Sequence, residues 1–94
     1  MKTPQEYFDS LEKLTDEFAK LSAIFADLKV YEAQYFGEHR HEFKSDNACE
    51  KSFRRTEKGI EMEVVKMKLK SKEKQMSTCK TGLRLLDTQA RNII

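Results

Sequence analysis

KMKLKSKEKQM, residues 66–76, sets a lysine at every second position five times over, the pattern expected of a half-exposed β-strand. The residues around it decide otherwise. Met62, Val65, Leu69, Lys72, Met76, Cys79, Leu83, Leu86, Ala90 and Ile93 follow one another at alternating gaps of three and four, the period of a helix carrying one apolar seam. A helical period sustained over some thirty residues outweighs a five-residue alternation, so the stretch is read as the middle of a long helix. Lys66, Lys70 and Lys74 then point away from the seam, and Lys72 enters it. A lysine tolerates that position because its four-carbon stem is apolar and its ammonium reaches past the edge.

Working toward the N-terminus, KSDNACE at 44–50 offers three successive N-cap residues, and Asn47 has Glu50 three places on, a capping-box arrangement. A helix is expected to start at about residue 47 and run to about 92, after a turn at about 44–46. Upstream of the turn a second seam runs through Tyr7, Leu11, Leu14, Phe18, Leu21, Phe25, Leu28, Tyr31 and Tyr35. It opens at TPQE, where Thr3 can cap, Pro4 needs no N–H partner and Glu6 can complete the box. This first helix is expected over about 4–43. Gly37 weakens a helix interior by about 1 kcal/mol without having to end it, and the sequence leaves open whether the helix stops there.

The fold class expected is therefore all-α, a long antiparallel helical hairpin of coiled-coil type occupying 1–94 as one domain. With the turn near residue 45, position i on the first helix faces about 91 − i on the second, which sets Leu28 near Met62 or Val65 and Tyr7 near Leu83 or Leu86. Charge agrees with this pairing. The net charge is only +2, but residues 1–45 carry six basic and nine acidic side chains while residues 46–94 carry twelve and seven. Each arm answers the charge of the other.

With 38% hydrophobic and 36% charged residues, the chain lacks the apolar material of an ordinary globular core, yet a two-helix seam cannot cover what it has. Ile24 and Tyr31 widen the apolar stripe of the first helix. Phe53, Ile60, Val64 and Met67 make a second, offset stripe on the other. These five positions, Ile24, Phe53, Ile60, Val64 and Met67, are the expected self-association surface, most simply of a two-fold dimer that forms a four-helix bundle.

No chemistry-bearing motif stands out. EHRHE at 38–42 sets His39 and His41 two apart, on different sides of a helix, so no metal site is expected, and no cofactor. Cys49 and Cys79 do not make a CxxC pair; Cys79 is expected in the seam and Cys49 near the turn, where the sequence leaves its exposure open. There is no phosphate-binding glycine loop, no nucleophile with a base, and no apolar run long enough to span a bilayer, so neither an enzyme nor a membrane partner is expected. Six lysines against one glutamate over 66–80 make nucleic acid a possible partner through an electrostatic face. The aromatic residues that would stack bases lie on the other helix.

The stretch FRRTEKGIEMEVVKMKLKSKEKQMSTCKTGLRLLDTQARN, 53–92, resembles the C-terminal helix of small helical proteins encoded by bacteriophages and prophages, in its TEKGIE, KLK and EK.MS elements and its closing Ala90-Arg91-Asn92. Cys79 and Gly82 depart from the smoother helix of that pattern. The resemblance implies a cytoplasmic accessory protein of an infected or lysogenic cell that binds a host or phage protein, components of antiviral defence included. The residues expected at such a partner surface are Tyr31, Tyr35, Phe36, Arg54, Arg55, Lys66, Lys70 and Lys74.

Overall fold

Thr3 opens the first helix as the sequence suggests: its side-chain oxygen accepts a hydrogen bond from the backbone N–H of Glu6 at 3.2 Å, and Pro4 follows in the first turn. In the computed structural model of the chain, which describes residues 2–93 and the side chains of 2–89, α1 spans Pro4–His39, α2 spans Asp46–Arg54 and α3 spans Glu57–Ile93, with a single 3-10 turn at Arg40–Glu42. No strand occurs among the described residues. The molecule is an antiparallel helical hairpin whose long arms are α1 and α3, measuring 68 × 21 × 16 Å. Its Cα radius of gyration is 19.8 Å, against about 12 Å for a compact chain of this length.

Two boundaries differ from the expectation. α1 runs through Gly37 but ends at His39 and not at 43. The Arg40 guanidinium donates to the carbonyl of Phe43 at 2.8 Å and to the Asp46 carboxylate at 2.5 Å, closing the corner. Beyond it Ser45, in extended conformation, caps α2 by accepting from the N–H of Ala48.

The second difference is larger. The helix expected over 47–92 is broken at Arg55 and Thr56 into α2 and α3. Thr56 makes the break self-satisfying: its hydroxyl donates to the carbonyl of Phe53 at 2.6 Å and accepts from the N–H of Gly59 at 3.1 Å. One side chain thus serves the last turn of α2 and the first turn of α3, the places where a helix leaves backbone groups without intrahelical partners.

The break redirects Phe53. In an unbroken helix, at 100° per residue, Phe53 would continue the outward stripe of Ile60 and Met67. Across the corner it turns inward and is 2% exposed. It joins Leu28, Met62 and Val65 in the buried cluster, with Leu21, Phe25, Tyr35 and Leu69 packed around it. Phe53 is therefore a core residue of the single chain and not part of a self-association surface. Cys49, whose exposure the sequence leaves open, is fully buried near the turn, and burial pushes its thiol pKa up. Cys79 lies buried in the seam. The last two seam positions, Ala90 and Ile93, fall outside the described side chains, as do Arg91 and Asn92.

Pairing of the arms is close to the expected register. Lys72 reaches Glu17 at 2.5 Å, Lys58 lies over the Tyr31 ring at 4.7 Å, and a Cβ on Gly82 would meet the Tyr7 ring at 2.5 Å. Each of these pairs sums to 89. No helix among the described residues is long and apolar enough to cross a membrane.

Candidate interaction faces

At 100° per residue, the side of α3 that packs on α1 is set by Met62, Val65, Leu69 and Lys72, which leaves two flanks and an outer ridge. One flank and the ridge carry Ile60, Val64 and Met67. These are 56%, 46% and 70% exposed, high for side chains of their size among the described residues. Ile24 and Tyr31 of α1, also exposed, stand on the same flank of the rod, where they line one open groove together with Asp27, Lys58 and Glu61. Four of the five positions expected at a self-association surface thus form one apolar face, with Tyr31 beside them. The fifth, Phe53, is underneath.

The charge beside this face changes sign along α3. Residues 57–63 hold Glu57, Glu61 and Glu63 against Lys58, and residues 66–74 hold five lysines against Glu73. Val64 sits at the change.

The other flank carries Lys66 and Lys70, and Lys74, seven residues beyond Met67, falls on the outer ridge. Lys66, Lys70 and Lys74 are exposed, and none of them, nor Lys68 or Lys80, enters an ion pair among the described residues, whereas Lys58, Lys72 and Arg54 do. Lys72 is held by Glu17, whose carboxyl pKa this hydrogen bond draws below the ordinary carboxylate value. Lys58 lies 3.7 Å from Glu61, and Arg54 lies 2.6 Å from Glu50 and 3.9 Å from Glu63. Spacing of four places Lys66, Lys70 and Lys74 in a row that drifts slowly round the helix. Phe18 of α1 sits in a shallow groove on this flank with Glu73, Met76, Ser77 and Lys80.

The remaining residues expected at a partner surface are dispersed. Tyr35 is half-buried. Its hydroxyl lies 2.6 Å from that of Ser52, and its ring packs against Phe53 and His39 at centroid distances of 5.5 and 4.6 Å. Phe36 is half-buried as well, so of the aromatic trio only Tyr31 is exposed. Arg54 is tied up by two glutamates, and Arg55 stands exposed at the α2–α3 corner. In EHRHE, His39 holds Glu42 through Nδ1 at 3.1 Å and lies 3.7 Å from Glu38 through Nε2. Both carboxylates thus bracket one ring, and no group of three metal-ligating side chains forms among the described residues.

Sequence reasoning missed Thr56 and Ser52, the two hydroxyls that fix the corner and dock α2 on α1. A signal for Thr56 was present: a threonine followed by a glutamate, with the helix-weakening Gly59 at the third position, marks a helix start inside an otherwise continuous seam. Ser52 carried none, since its partner is seventeen residues away. No family model, curated protein or solved structure matches the chain.

Proposed function

We propose that this chain is a small non-enzymatic accessory protein of phage type, acting within the infected bacterial cell by occupying an acidic surface on another protein, most concretely as an inhibitor of a host defence or nucleoprotein complex. The observation that carries the reading is the row Lys66, Lys70 and Lys74: three exposed cations running from one flank of the rod onto its outer ridge, without carboxylate partners among the described residues, whereas Lys58 and Lys72 of the same helix are paired. Desolvating an already paired lysine would gain a partner little. An unpaired row offers its full charge, and speeds encounter with an acidic surface.

The test is a side-by-side capture from nuclease-treated host lysate with the wild-type chain and with Lys66→Glu/Lys70→Glu/Lys74→Glu. A protein held by the first and lost from the second supports the proposal; an identical set on both overturns it. The charge reversal sits on exposed positions, and unchanged helicity by circular dichroism confirms that the fold is intact.

The same row favours one second reading, an accessory nucleic-acid-binding protein. Phosphate contacts by three lysines would give an affinity that falls steeply with salt. Fluorescence anisotropy with a mixed-sequence duplex at low and moderate salt separates the two. Salt-sensitive binding lost in the triple variant supports nucleic acid, and no binding at low salt removes it.

A further inference from the structure

We infer that the apolar face of Ile60, Val64 and Met67 is covered by a second copy of this chain, the two α3 helices lying antiparallel and crossing near Val64. The proposal concerns the ridge and flank beside α1's Ile24 and Tyr31 and does not rest on the lysine-row reading. Its partner follows from charge.

Around Val64 the face is a hydrophobic strip with acid on one side in sequence and base on the other: Glu57, Glu61 and Glu63 before it, Lys66, Lys68 and Lys70 after it. A two-fold axis at Val64 sets position i of one helix against about 128 − i of its mate. Ile60 then comes within one position of Met67 of the second copy, Val64 meets itself, and Glu61 lies within one position of Lys68 of the other chain on both sides of the axis. The strip is self-complementary only in this orientation. Parallel pairing would set glutamate against glutamate and lysine against lysine, and like charges across a helix interface disfavour association. A two-fold contact also needs only one patch per chain, used twice. Ile24 and Tyr31, on the same flank, extend the contact from α3 onto α1, so the turn-proximal parts of two hairpins make a four-helix layer. Because Val64 lies much nearer the turn than the free ends, the two rods are staggered, and their free ends project in opposite directions.

The experiment uses the full chain. Sedimentation velocity from low to high micromolar concentration gives a dimer for the wild type and a shift of at least tenfold toward monomer for Val64→Asp. The half-exchanges Glu61→Lys and Lys68→Glu each weaken the dimer, and the two changes combined restore it. Orientation is read by mild oxidation of single-cysteine additions, the native Cys49 and Cys79 being buried. Val64→Cys cross-links to its own copy. Thr88→Cys does not, since 24 residues of helix on each side of the axis separate the two sites by roughly 70 Å. A wild type that stays monomeric throughout, a dimer indifferent to Val64→Asp, half-exchanges without effect, or equal cross-linking at 64 and 88 would each overturn the proposal. Circular dichroism on every variant shows that exposed-site changes leave the hairpin folded.

Discussion

The three glycines of this chain occupy three different environments, and substitution by alanine reads out each. Gly59 lies in the first turn of α3 against the end of α2. A Cβ there would stand 2.0 Å from the carbonyl oxygen of Phe53 and 2.7 Å from the Cα of Arg54. Backbone cannot step aside as a side-chain tip can, so Gly59→Ala must open the corner and withdraw Phe53 from the core. A loss of about 3 kcal/mol or more is expected from combined overpacking and cavity formation, measured as a lower denaturant midpoint. Gly37 has nothing within 4 Å of such a Cβ and sits inside a continuous helix. Gly37→Ala should stabilise by about 0.5–1 kcal/mol, the difference in helix propensity. Gly82 is intermediate, because the atoms in its way belong to the Tyr7 ring, which can swing aside. A tyrosine fluorescence change with a smaller shift in midpoint is expected for Gly82→Ala. Cys49 gives a fourth reading at this scale. Fully buried, and with its thiol pKa raised by that burial, it should resist a thiol reagent at neutral pH until denaturant unfolds the corner, since the thiolate is the reactive form.

At the scale of the elements, α2 exists as a separate helix because Thr56 and Ser45 cap the starts of two neighbouring helices. Thr56→Ala removes the acceptor for Gly59 N–H and the donor to Phe53 O together; loss of a cap costs about 1–2 kcal/mol. Thr56→Ser keeps both bonds and should recover most of that stability, which separates the capping role from the space filled by the threonine methyl. The same corner shows what the sequence made legible and what it did not. Seam periodicity located α1 and α3, their antiparallel arrangement and a register that the Glu17–Lys72 pair places within two residues of expectation. Periodicity says nothing about a two-residue break that resumes in a compatible phase, because the apolar spacing on each side stays helical. Phe53 was misplaced for that reason alone: its outward position was correct for an unbroken helix and wrong once the chain turned at Arg55. Of the candidate faces, the stripe of Ile60, Val64 and Met67 and the row of Lys66, Lys70 and Lys74 could be read by helical angle. The half-burial of Phe36 could not.

Across the whole molecule the core is one-sided. Leu28, Phe53, Met62 and Val65, with the residues packed on them, all lie toward the turn, and Cys49 is buried there as well. In the other half of the rod Cys79 is the one buried apolar side chain among those described, and the arms are joined there by half-buried seam residues, the Tyr7–Gly82 contact and the Glu17–Lys72 pair. Local opening follows buried contact, so amide hydrogen exchange should be slowest over residues 25–35 and 60–69 and fastest toward the free ends of α1 and α3. Acid should widen this gradient. Glu17 has its carboxyl pKa drawn below the ordinary value, first by the hydrogen bond from Lys72, so the folded rod binds a proton there less readily than the open one does. The pair's contribution is therefore complete above the ordinary carboxylate pKa of 4.5 and is lost as pH falls below it. Exchange at the free ends of α1 and α3, corrected for the intrinsic pH dependence of exchange, should accelerate on acidification through that window while the turn-proximal amides hold. Glu17→Gln should show the fast behaviour already at neutral pH and lose the acid-dependent part. Uniform protection along both arms would mean that the half-buried seam, and not the turn-proximal cluster, carries the stability of the hairpin.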